Sequence, residues 1–202
     1  MQHTFKGKPT RVSIKDISRE NLSEIPNPCR TCLYWEEPAV NQCGKELSDA
    51  ERIQREARKA AWFQATLGEF GSCGKILYVN NKPVGYAQYS TSVRLPNIQA
   101  YGVKELGTEQ KGVVFISCLY ISDKKFRGRG LGRRLLDHVI EDLGQRGFKA
   151  VETIARRGST NNPSGPIELF LGKGFRIREE TNSDFALVRL DLLSQLASSE
   201  MK

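Results

Sequence analysis

Apolar and polar positions alternate over residues 11–17, Arg-Val-Ser-Ile-Lys-Asp-Ile, the period of two that marks a half-buried strand. Asn21 to Ile25 predicts a short helical turn, and residues 26–49 carry no regular period. From Ser48 to Phe70 the period lengthens: Ile53, Ala57, Ala60, Ala61, Phe63 and Leu67 recur at helical intervals. Ser48 and Glu51 have the spacing of a capping box, and Gly68, Gly71 and Gly74 end the helix. Lys75 to Ser90 predicts a hairpin, KILYV and VGYAQYS joined through Asn80-Asn81-Lys82-Pro83. Residues 91–112, with Pro96, Gly102 and Gly107, read as a long loop. Val113 to Ile121 is a nearly unbroken apolar run of β-branched and aromatic residues, the pattern of a strand buried on both faces. Leu131, Leu135, Leu136, Val139, Ile140 and Leu143 then share one helical face, leaving Arg133, Arg134, Asp137, Glu141 and Asp142 outside. After Gly144 and Gly147 come a strand at Ala150 to Ala155, a polar loop at 156–166, a short helix at Ile167 to Leu171, and closing strands at Phe175 to Ile177 and Phe185 to Leu190.

The junction between the apolar strand and the helix carries the candidate chemistry. It reads Arg127-Gly128-Arg129-Gly130-Leu131-Gly132. Glycine lets a backbone turn sharply and approach a ligand. The first N–H groups of a helix have no internal partner, and the helix dipole adds partial positive charge there, which suits a phosphate. Lys124, Lys125, Arg127, Arg129, Arg133 and Arg134 add full charge. The junction is therefore read as a diphosphate cradle. It lacks the GxxxxGK[ST] of a nucleotide P-loop, and its GxGxG is not the dinucleotide GxGxxG.

The net charge of +8 fits that reading: between Asp123 and Arg157 ten Lys or Arg stand against five Asp or Glu. A polyanionic ligand accounts for such a surplus. A nucleic-acid partner is disfavoured, because no zinc-finger spacing or aromatic-interleaved basic stripe accompanies it. No apolar stretch reaches the length of a membrane span, and the opening MQHTFKGKPT has no secretory hydrophobic core. With an odd count of five cysteines, this leads to an expectation of reduced thiols, a cytoplasmic location and no membrane partner.

The order Arg-x-x-Gly-x-Gly, as Arg127, Gly130 and Gly132 after an apolar strand and before a helix, resembles the coenzyme A signature of the GCN5-related N-acetyltransferase (GNAT) superfamily. LYISDKKFRGRGLGRRLL at 119–136 and IELFLGKGF at 167–175 are its most specific parts. The resemblance spans roughly residues 11–192. It implies an α/β fold with a mixed central sheet of about six to seven strands flanked by helices. It also implies one acetyltransferase domain over 11–195, with the irregular cysteine-containing segment 26–49 inside it. A pair of helices after the first strand would border the acceptor. Further implications are acetyl-CoA as co-substrate without a metal, an unidentified amine acceptor attacking the thioester directly in a ternary complex, and compatibility with a homodimer. Leu119, Tyr120 and Ile121 would pair with the pantetheine through their backbone. Arg127, Gly128, Arg129, Gly130, Leu131, Gly132 and Arg133 would hold the pyrophosphate, and Asn161 or Asn162 would bond the pantetheine arm.

Two departures stand out. The family's frequent proton-donating tyrosine in the last helix is replaced by Phe170, and residues 113–122 lack the carboxylate that often serves as base. Glu152 becomes the first candidate base, against the alternative that it faces solvent. Cys118 is a candidate nucleophile, against the alternative of a small buried hydrophobe. The missing tyrosine also keeps open a non-catalytic acyl-CoA-binding or regulatory module. Cys29 and Cys32, with Cys43 and either Cys73 or His3, have spacing for metal or redox chemistry, but a second CxxC is absent. Buried or free thiols are the other reading. Tyr34 and Trp35 either line the acceptor pocket or anchor a loop. Glu36, Glu37 and Glu46 either attract a cationic amine or are solvated.

Overall fold

The computed structural model describes residues 11–38, 46–104, 112–158 and 164–192. A sheet of seven strands, in the order β1-β2-β3-β4-β5-β7-β6, forms the middle layer. The strands are β1 (Val12–Asp16), β2 (Gly74–Val79), β3 (Lys82–Ser90), β4 (Val113–Ile121), β5 (Ala150–Arg156), β6 (Arg176–Glu180) and β7 (Phe185–Asp191). All neighbours are antiparallel except β4 and β5, which run parallel. Helix α1 (Asp49–Phe70) covers one face, while α2 (Leu131–Gln145) and α3 (Ile167–Leu171) cover the other.

The mixed, helix-flanked sheet and the hairpin match the expectation from sequence, but the connection is shorter than the four residues expected: Lys82 and Pro83 already belong to β3, leaving a two-residue turn at Asn80 and Asn81. Both asparagines have positive φ, the backbone of a tight hairpin. Helix α2 buries Leu135, Leu136, Val139 and Leu143 as their spacing predicts. The α1 face is different. Its buried positions are Lys59, Phe63 and Thr66, with Trp62, Leu67 and Phe70 packed partly against the core. Ala57 and Ala61 are exposed and Ile53 is 66% exposed. A lysine and a threonine hold inward positions, so hydrophobicity alone gave the wrong phase. The expected pair of helices before β2 also differs: two short 3-10 turns, Leu22–Glu24 and Cys29–Thr31, precede α1. Residues 91–104 are more ordered than a plain loop, with 3-10 turns at Ser92–Arg94 and Pro96–Tyr101 that bury Leu95, Asn97 and Ile98.

The capping box at the start of α1 is formed. Ser48 Oγ accepts from the Glu51 N–H, and Glu51 Oε2 accepts from the Ser48 N–H at 2.9 Å. Ser48→Ala is expected to cost about 1 kcal/mol. In a thermal melt that appears as a drop of about 2–4 °C.

Candidate active site

Strand β4 is paired to β5 only at its start. Val113, Val114 and Phe115 lie opposite Ala150, Val151 and Glu152, and the ladder then stops. The Thr153 hydroxyl donates to the Ile116 carbonyl at 2.8 Å and marks the point where the strands part. Beyond it, β5 finds another partner on that edge. Arg156 pairs with Pro166, its N–H donates to the Gly165 carbonyl at 3.3 Å, and the Ser164 hydroxyl donates to the Ile154 carbonyl. The chain then enters α3 directly. From Ser117 to Ile121, β4 is no longer paired to β5, and this parting of the two strands forms a slot, with α3 following on from the β5 side. Within the β3–β4 ladder the register shifts between Gln88 and Tyr89, so that Ser117 is the extra residue of β4. The slot contains Leu119, Tyr120 and Ile121, the residues expected to meet a pantetheine arm.

The end of β4 leads into the glycine junction. Gly128 and Gly130 have φ of +69° and +75°, and Gly130 is the N-cap of α2. No side chain caps the helix, so its first N–H groups remain available to a ligand. A Cβ placed at Gly128, Gly130 or Gly132 would meet nothing within 4 Å. The loop therefore opens onto free space, with the first N–H groups of α2 at its end. Arg129, Arg133 and Arg134 are exposed, and no ion pair engages them among the described residues. Leu131 is half-buried and packs against the core as the loop turns into the helix. Arg127 also braces the loop against the strand, since its Nε donates to the Ile121 carbonyl at 2.9 Å and its guanidinium lies over the Tyr120 ring. Asp123 accepts from the Lys125 N–H, which holds its carboxyl below the usual range. On the hairpin side of this loop lies a cavity of about 670 Å³, lined by Lys82, Phe126, Arg129, Gly130 and Arg134 among others.

On the α1 face, the segment carrying Cys29, Cys32, Tyr34, Trp35 and Glu36 crosses the middle of the sheet. Trp35 is buried, stacks on Tyr101 at 5.6 Å and contacts Phe115 at 5.7 Å. The Tyr34 and Tyr101 hydroxyls are 2.9 Å apart, and Tyr101 meets Phe185 edge-on. Trp35 therefore anchors the segment, while Tyr34, Tyr101, Tyr120 and Phe185 are partly exposed around the open end of β4.

The catalytic candidates are placed as follows. Glu152 does not face solvent; it is 1% exposed, and its Oε1 accepts from Arg178 at 2.6 Å and from Arg189 at 3.2 Å. It sits opposite Phe115, in the paired root of β4 and β5, and ties β5 to β6 and β7. Cys118 lies at the slot but is buried, and burial pushes its thiol well above the usual value. That opposes a thiolate nucleophile. Phe170 is fully buried against Phe175 and has no proton to give. Asn161, Asn162, Cys43 and His3 lie outside the described residues.

The metal reading finds no support: among the described residues no cluster of three or more His, Cys, Asp or Glu could hold an ion. Cys29, Cys32, Cys73 and Cys118 are buried thiols outside any disulfide. Burial raises the Cys29 thiol and pushes Cys73 up to about 12. In the native protein these four thiols are expected to react with iodoacetamide at about a tenth or less of their rate in denaturant, as read by peptide mapping. The residue that sequence reasoning undervalued is Glu36. Its only signal was a carboxylate set beside Tyr34 and Trp35, and its side chain is 3% exposed.

Comparison with known proteins agrees with this geometry. The model of the acetyltransferase (GNAT) family matches residues 31–172. The chain belongs to that family and, with it, to the acyltransferases. Among solved structures, an N-acetyltransferase from Staphylococcus aureus Mu50 is 19% identical, with a TM-score of 0.54 over 90% of this chain and 99% of that one. The yncA protein of Salmonella typhimurium, solved with its cofactor acetyl-CoA, is 18% identical, with a TM-score of 0.57 over 90% and 94%. The paia N-acetyltransferase of Thermoplasma acidophilum, in complex with coenzyme A, is 12% identical, with a TM-score of 0.54 over 90% and 99%. At these identities the likeness is one of fold. No curated protein matches. No helix among the described residues is long and apolar enough to cross a membrane.

Proposed function

We propose that residues 11–195 form one N-acetyltransferase domain, which moves an acetyl group from acetyl-CoA to a primary amine by direct attack in a ternary complex. The observation that carries this reading is the parting of β4 from β5 beyond Phe115, with β4 running straight into a glycine-lined helix start that no side chain caps. In it, the α2 N–H groups with Arg129 and Arg133 would hold the pyrophosphate, with Arg127 at the loop's base. The backbone of Leu119, Tyr120 and Ile121 would align the pantetheine as an added strand. A backbone N–H of β4 would stabilise the developing oxyanion. That two structural neighbours were solved with coenzyme A or acetyl-CoA supports the choice of ligand. The four buried thiols outside any disulfide support a cytoplasmic setting. The buried Phe170 favours a second reading, a module that binds acyl-CoA without transferring the acyl group.

A thermal melt tests the ligand. At acetyl-CoA about 100-fold over its dissociation constant, binding adds about 2.7 kcal/mol. The expected rise in Tm is roughly 5–10 °C. No rise at millimolar acetyl-CoA would overturn both readings.

A further inference from the structure

Glu36 Oε1 accepts from Lys59 Nζ and from Gln88 Nε2, both at 2.5 Å. Gln88 Oε1 accepts in turn from Lys59 Nζ at 2.7 Å and from the Tyr86 hydroxyl. The Glu36 and Lys59 side chains are each 3% exposed. Glu36 Oε2 is buried and has no hydrogen-bond partner among the described residues. Buried polar atoms are mostly hydrogen-bonded, so an open carboxylate oxygen calls for an explanation, and a donor supplied by a substrate is one.

The position of that oxygen is informative. Gln88 stands opposite Cys118 in the β3–β4 ladder, and the bulged Ser117 donates to the Gln88 carbonyl at 3.2 Å. This rung lies just past the point where β4 and β5 part. Glu36 reaches it from the α1 face, whereas α2 and the loop that opens it lie on the opposite face. A carboxylate on one face and an anion loop on the other thus flank the same stretch of β4. The groups that face Glu36 are Lys59 from α1, Tyr86 and Gln88 from β3, Cys118 from β4, and Cys29 and Cys32 from the 3-10 turn. Burial keeps Tyr86, Cys29 and Cys118 protonated. Burial works against the charge on Lys59, but Glu36, with smaller contributions from Cys118 and Cys32, holds its value above the usual one. Lys59 is therefore the one cation of the cluster and the counter-ion of the carboxylate.

Resting on the acetyl-transfer reading, we infer that Glu36 is the proton acceptor of the reaction, reached by the amine directly or through one water. The amine lone pair forms the N–C bond to the thioester carbonyl, and the nitrogen's proton passes to Glu36 Oε2. The C–S bond breaks with its electron pair on sulfur. The sulfur then takes that proton through solvent, giving amide and free thiol and restoring the carboxylate. This role is distinct from that of Glu152, whose carboxylate is bound by two arginines at the root of the slot.

The test compares Glu36→Gln, Glu36→Asp and the double variant Glu36→Gln/Lys59→Met with the wild-type protein. Acetyl transfer is followed with spermidine, tyramine, lysine or an alanyl peptide, using whichever turns over fastest. Both Gln variants are expected to lose about 100-fold or more in kcat/KM, with the melting shift from acetyl-CoA intact. Their rates should climb with pH without the wild-type plateau. Glu36→Asp should recover part of the loss. The double variant removes both charges, so no lysine is stranded if Glu36→Gln folds poorly. A double variant within about threefold of wild type would overturn the inference, because an ion pair of purely structural role predicts that result. If the wild-type protein transfers acetyl to none of the amines, the acetyl-transfer reading fails, and this inference with it.

Discussion

Gly130→Glu is expected to abolish the thermal stabilisation by acetyl-CoA. Gly130 sits at φ +75° as the N-cap of α2, in open space. A glutamate there has two effects. The left-handed backbone costs a side-chain-bearing residue about 1–2 kcal/mol, which lowers Tm in the absence of ligand. The carboxylate also occupies the free space at the loop and pairs with the exposed arginines that a pyrophosphate would meet. Gly130→Ala separates the two effects: it carries the strain without the charge. It should lower the ligand-free Tm and keep most of the acetyl-CoA shift, whereas Gly130→Glu loses that shift. Arg129→Glu, which leaves the glycine backbone alone, should also lose most of it. If Gly130→Glu keeps the full shift, the ligand is held elsewhere.

Trp35→Ala should give the largest loss of stability among these substitutions while sparing the cofactor end. The indole is 1% exposed and touches Tyr34, Tyr101 and Phe115. Removing it leaves a cavity at the centre of the α1 face, at a cost of about 3–5 kcal/mol. For a domain of this size that lowers Tm by roughly 6–20 °C. The glycine loop and α2 pack on the other face of the sheet, so the variant should still gain Tm with acetyl-CoA. The same substitution frees Tyr34 and Glu36 from their anchor, and amine turnover should fall with stability. Differential scanning calorimetry with and without acetyl-CoA reads both effects. A Tm within about 2 °C of wild type would contradict the placement of Trp35 in the core.

The half of the site that can be read from sequence is the half built by backbone. The β4 run, the Arg-x-x-Gly-x-Gly turn and the α2 stripe are local patterns, and the structure places them as their spacing implied. The α1 face is a different case. Lys59 points inward because Glu36, contributed by a distant segment, supplies its partner, while Thr66 is buried with its hydroxyl donating to the Trp62 carbonyl one turn back. No window around Lys59 contains that information. Glu152 shows the same limit: in its strand it reads as solvent-facing, and only the return of β6 and β7 brings Arg178 and Arg189 to it. The cysteine segment left several readings open, and of these the buried thiols hold for Cys29 and Cys32; what no local spacing gives is that the segment carries Trp35 and Glu36 over the sheet.

Mass spectrometry of an amine panel incubated with isotopically labelled acetyl-CoA and the protein separates transfer from binding alone. A labelled amide is expected on at least one amine, formed in step with free coenzyme A and absent with Gly130→Glu. Saturable acetyl-CoA binding with no labelled amide on any amine of the panel would contradict transfer and leave an acyl-CoA-binding module in place of an enzyme.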